Sequence, residues 1–125
     1  MRIGQVVGKV VLNRVHPSLT GAQFKIVLPL TFKDLASQSR DDALEASDAV
    51  DRLANPEYPR KWGNELVVYD SCSAAVGEWL AFSEGAEAAA AFGADKKAPV
   101  DAFAGAIIDT VTIDAAAVRE LARLN

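Results

Sequence analysis

One cysteine, Cys72, and one histidine, His16, stand in a chain of 125 residues. A lone thiol excludes an internal disulfide and any multi-cysteine metal site, so Cys72 reads as a small buried hydrophobe in a reducing compartment. His16 sits beside Pro17 with no nearby group to orient it as a base or ligand, and reads as an ordinary loop residue. Basic runs are missing: Arg60-Lys61 and Lys96-Lys97 are isolated pairs in a chain of net charge −4. Nucleic-acid affinity rests on Lys and Arg neutralising phosphate, so no nucleic-acid partner is expected. No apolar stretch reaches the about 20 residues of a membrane helix. The start, Met1-Arg2-Ile3-Gly4, lacks the charged region and apolar run of a secretion signal. The expectation is a soluble cytoplasmic protein without a membrane partner.

Enzyme signatures are also missing. Ser71 and Ser73 flank Cys72, but the stretch is neither a Gly-x-Ser-x-Gly elbow nor a cysteine-hydrolase signature. Asp41, Asp42, Asp48 and Asp51 lack the spacing of a calcium loop and read as a solvated face. Gly4 and Gly8 precede a strand rather than open a helix, so they form no phosphate-binding turn. These readings predict no catalytic residue, no cofactor and no metal. Phe24, Trp62, Tyr69 and Phe82 could stack bases on an OB-type face, yet with so few positive charges nearby they read as packing residues.

What the chain does have is a 50% hydrophobic composition and a length suited to one domain with a modest core. Residues 2–14 read as a strand whose even set, Gly4, Val6, Gly8, Val10 and Leu12, is wholly apolar or glycine. Glycines on one face suit a small, tightly curved barrel. The odd set mixes Ile3, Val7 and Val11 with Gln5, Lys9 and Asn13, so that face needs a second cover from the same chain or a neighbouring subunit.

Residues 24–30 resume a period of two, with Phe24, Ile26, Leu28 and Leu30 on one side and Lys25 and Val27 on the other. Pro29 cannot donate to a ladder and predicts a strand end or an edge there. Ala46, Ala49, Val50 and Leu53 fall at helical spacing inside an acidic stretch, predicting a helix in an insertion at about 34–62. Residues 66–69, 79–82 and 104–113 read as further strands. The alanine run within 84–99 favours a short helix. Residues 114–124 read as a helix capped by Asp114, short enough that Val118, Leu121 and Leu124 should dock on something. Five strands without a βαβ rhythm predict a mainly β fold, a small five-stranded barrel with an inserted helical segment and a short C-terminal helix.

Several stretches, in this order, resemble the EutN/CcmL family, the pentameric vertex proteins of bacterial microcompartment shells. They are Ile3-Gly4-Gln5-Val6-Val7-Gly8-Lys9-Val10-Val11, Leu19-Thr20-Gly21-Ala22-Gln23-Phe24-Lys25-Ile26-Val27, and Asp70 through Val76-Gly77-Glu78-Trp79. Glu84-Gly85-Ala86-Glu87-Ala88, then Pro99-Val100-Asp101-Ala102 running into Ala106-Ile107-Ile108-Asp109, complete the series. Three features depart from the family pattern, one of them the helical tail after Ile113, which exceeds a minimal member. The link at 31–63 is enlarged, and Ser73-Ala74-Ala75 stands where the family tends to have Gly-Ala-Gly.

The resemblance implies an OB-like barrel at 1–113, a helical tail at 114–125, and assembly as a homopentamer at the five-fold corners of a shell built with hexameric shell proteins. It also implies an axis or pore loop at Ser73, Ala74, Ala75, Val76, Gly77 and Glu78, and a subunit contact at Pro99, Val100 and Asp101. The competing reading is an OB-like module that binds a ligand or nucleic acid.

Overall fold

The computed structural model describes residues 1–31, 34–35, 44–45, 64–93 and 98–124. The expected insertion helix, with Ala46, Ala49, Val50 and Leu53, lies outside the described residues, as do Trp62, Asp41, Asp42, Asp48 and Asp51.

The fold is mainly β. Its strands are β1 (Arg2–Val10), β2 (Phe24–Leu30), β3 (Leu44–Glu45), β4 (Leu66–Asp70), β5 (Trp79–Glu84), β6 (Ala102–Ile108) and β7 (Thr110–Val111). Five of them join in the order β1-β2-β4-β6-β5, and β5 returns to pair with β1, so the sheet closes into a barrel. Every contact in the ring is antiparallel except β4–β6, a parallel join of only Tyr69↔Phe103 and Asp70↔Ala104. The short β3 and β7 pair separately, Leu44 opposite Val111 and Glu45 opposite Thr110. The fold also has the α-helices α1 (Ala86–Ala90) and α2 (Ala115–Leu124), and residues 34 and 35 are helical as well.

Val6, Val27, Val68, Leu80, Phe82, Ala102 and Ala104 fill the barrel, all at or near zero exposure. Gly4 is buried among them because the curvature leaves no room for more: an added Cβ would meet Val27 Cγ1 and come within 2.9 Å of Phe82 Cε1. The even-numbered set of β1 does not keep one face, however. A register shift between Val6 and Gly8 places Val6 opposite the core residue Val27 but Gly8 opposite Ile26 and Val10 opposite Phe24. One extra residue reverses the side-chain phase, so Gly4 and Val6 point inward while Gly8 and Val10 point outward. On β2 it is the Lys25 and Val27 side that turns inward.

At Ile3 the second cover for β1 comes from the same chain. Trp79, fully buried on the outer side of the wall, packs with Ile3, Leu30, Ile108 and Val111. Pro29 lies inside β2, paired with Gly4, but beyond the last β2–β4 pair, Val27↔Leu66. Among the described residues β2 thus has no β4 partner at Pro29, a place where a missing ladder donor is tolerated.

Some boundaries differ from expectation. β1 stops at Val10, and Val11 and Leu12 are exposed. The last barrel strand starts earlier, at Ala102, and breaks before β7. Asp114 Oδ1 accepts the Ala117 N–H at 3.0 Å and caps α2 as predicted. Among the described residues its apolar side stays largely open: Val118 is half-buried, but Leu121 and Leu124 are 56% and 73% exposed. The cap and the Arg123–Glu120 contact at 3.3 Å hold the helix locally instead.

Candidate functional site

The connection from β4 to β5, residues 71–78, is tied down at both ends. At its entry stands Asp70, the last residue of β4, whose side chain is fully buried. Its Oδ1 accepts the Cys72 N–H at 2.8 Å and its Oδ2 accepts the Ala74 N–H at 2.7 Å. Lys25 Nζ on β2 lies 3.4 Å from the same Oδ2, with its side chain 13% exposed. Removing one partner of such a buried pair typically costs about 3–5 kcal/mol, because the other charge is left uncompensated. Ser71 Oγ donates to the Ala104 carbonyl at 2.8 Å, tying the loop to β6.

Between the two clamped amides sits Ser73, at φ 57°, the one non-glycine in the left-handed region among the described residues. Ala74 then drops into the barrel core at 3% exposure, beside Val6, Val68 and Leu80. Ala75 and Val76 project outward, Val76 at 52% exposure. At the exit, Gly77 (φ 94°) is buried, donates to the Val6 carbonyl at 2.7 Å and accepts Gln5 Nε2 at 3.0 Å. Glu78 is half-buried, and its carbonyl accepts the Val6 N–H at 2.9 Å. The six residues singled out from sequence thus form one continuous, anchored loop whose tip is Ala75-Val76.

Pro99, Val100 and Asp101 belong to the β5–β6 connection. Pro99 and Asp101 are exposed, Val100 is half-buried, and the Asp101 carbonyl accepts the Gly85 N–H at 2.8 Å. Close by is a cluster of four rings, in which Phe24 and Tyr69, read as packing residues from sequence, are joined by Phe92 and Phe103, which were not singled out. Tyr69 stacks on Phe103 at 5.3 Å and meets Phe24 and Phe92 edge-on at 5.7 and 4.9 Å. Pairing of Phe24 with Tyr69, and of Tyr69 with Phe103, brings together rings distant in sequence, a signal only the strand register carries.

β6 changes character along its length. Ala102 and Ala104 are buried, whereas Gly105, Ala106 and Ile107 are exposed, Ile107 at 41%. Past Ala104 the strand has outrun β4, and only β5 pairs with it among the described residues.

The remaining chemical candidates have structural employment. His16 Nδ1 accepts the Ser18 N–H at 3.2 Å and caps the 3-10 turn Pro17–Leu19. Phe82, a proposed base-stacking ring, is fully buried in the core and cannot meet a base. Among the described residues no group of three or more His, Cys, Asp or Glu side chains is arranged to hold a metal ion. None of the described helices is long and apolar enough to cross a membrane. A cavity of about 490 Å³ opens between the end of β1 and the start of β2, lined by Val11, Leu12, Val15, Leu19 and Phe24, with Lys9 and Lys25 its charged groups.

The family model described as "Ethanolamine utilisation protein EutN/carboxysome" matches residues 1–109. A carboxysome shell vertex protein, CcmL of Gloeobacter violaceus, is 34% identical over 114 residues, spanning 91% of this chain and 88% of that protein. The solved structure of Gloeobacter violaceus CcmL superposes with a TM-score of 0.58 at 28% identity, covering 92% of each chain. The same fold is found in GrpN, a pentameric microcompartment shell protein from Rhodospirillum rubrum, at a TM-score of 0.59 and 24% identity, over 91% of this chain and 99% of that one.

Proposed function

The chain belongs to the EutN/CcmL family, and from that premise we propose that it is a structural, non-catalytic shell protein. It closes a five-fold vertex of a bacterial microcompartment as a cyclic homopentamer. The observation that carries the reading is the uncharged, exposed stretch Gly105-Ala106-Ile107 of β6, in which Ala106 and Ile107 pair only with β5 among the described residues and Gly105 falls at a register shift. An apolar strand edge without charge, proline or cover invites association, and proteins that stay monomeric blunt such edges. A ring of identical chains gives it a partner, and a head-to-tail contact closes only at the right rotation. Val76 and Val67, at 52% and 47% exposure, are further exposed apolar side chains.

Within this reading the barrel is OB-like, occupies 1–113 with its insertion at about 34–62, and is followed by the tail at 114–125. Ser73 to Glu78 face the five-fold axis, and Pro99, Val100 and Asp101 contact the neighbouring subunit. Hexameric shell proteins surround the ring in the bacterial cytoplasm, and no cofactor takes part. Native mass spectrometry of the purified chain tests the proposal. A mass of five 13.3 kDa chains is expected, and a stable monomer at micromolar concentration, or a ring of another size, overturns it.

A further inference from the structure

We propose that Asp70 is the positioning residue of the assembly loop: its carboxylate holds Ser73 in a left-handed conformation and so fixes where Ala75 and Val76 stand. The two amides it accepts, from Cys72 at 2.8 Å and Ala74 at 2.7 Å, flank Ser73 on either side. Neither can shift without losing a charge-assisted bond, the stronger class of hydrogen bond. Left-handed backbone is unfavourable for a residue with a Cβ, so Ser73 at φ 57° needs such a restraint from outside itself. Lys25 on β2, 3.4 Å from Oδ2, balances the buried charge and links the clamp to the barrel wall.

The loop geometry leaves little other freedom. Ala74 is seated in the core, and Gly77 is bonded to Val6 at 2.7 Å. The exposed tip is therefore fixed by the clamp at its entry and by β1 at its exit. A loop that meets four symmetry copies of itself near an axis must be held to one shape, because any slack is repeated in every subunit. The effect on the ring rests on the vertex reading; the clamp itself does not.

Amide hydrogen exchange, read together with native mass, tests this. In the wild-type chain the Cys72 and Ala74 amides should exchange far more slowly than the amide of exposed Ala75. Comparable rates would overturn the clamp without any variant. Asp70→Asn keeps one acceptor and loses the charge. It should speed exchange at Cys72 or Ala74 about tenfold while Val27 stays protected, and raise the concentration for half-dissociation of the ring about tenfold. Adding Ser73→Gly should recover most of the lost assembly, since glycine enters the left-handed region freely. Unchanged loop exchange in Asp70→Asn, or no recovery on adding Ser73→Gly, overturns the inference. A monomeric wild type that still protects both amides would sink the vertex reading while supporting the clamp.

Discussion

The barrel wall and the loop that follows β4 are each forced through a tight place, and they solve it by different means. In the wall, Gly4 gives up its side chain: Val27 and Phe82 occupy the space, and the Leu28 carbonyl would lie 3.1 Å from an added Cβ. In the loop, Ser73 keeps a side chain at φ 57°, and a buried carboxylate restrains the backbone around it. Space is the constraint in the first place and dihedral preference in the second. Deleting atoms should hurt the wall, whereas removing the serine side chain should help the loop.

The sharpest break comes from the wall. Phe82→Ala should destabilise the fold by about 3–5 kcal/mol, read as a lower urea midpoint at fixed protein concentration; a change below about 1 kcal/mol would remove Phe82 from the core. Gly4→Ala should cost about 1–3 kcal/mol by overpacking, and a neutral result would show that the strand can relax outward. In the loop, Ser73→Gly should raise stability by up to about 1 kcal/mol, seen as a small increase in melting temperature. A loss there would mean that the serine side chain contributes more than the strain removes. Ala75→Glu should leave the fold within about 0.5 kcal/mol, because Ala75 is exposed. Its like charges around the ring should nevertheless weaken assembly, as repulsion grows where water is excluded. An Ala75→Glu chain that keeps the wild-type oligomer would move the loop away from the axis.

Much of the architecture was legible because period-two patterns survive in the chain. The β2 bounds agree with 24–30, and the Asp114 cap is where a carboxylate before an alanine run should be. The phase of β1 was not legible. Gly8 within a strand pattern permits a bulge but does not say that the register shifts there, and the shift between Val6 and Gly8 exchanges the faces of everything after it. The loop was found as a motif but not as a mechanism. Asp70 stood in the quoted stretch without a role, and Lys25 was read as one member of a strand face. Their meeting depends on β2 lying beside β4, which no local pattern encodes. Likewise, the replacement of glycine by Ser73 suggests a changed loop shape, yet the backbone keeps a left-handed residue there.

The family match ends at residue 109, and β7 begins at Thr110. It pairs with Leu44–Glu45, so the connection between β2 and β4 and the segment that follows the family match are joined there. Val111 also rests against Trp79, buttoning that seam to the outside of the barrel. Cutting the chain after residue 109 would therefore bare one flank of Trp79 and unpin Leu44–Glu45 as well.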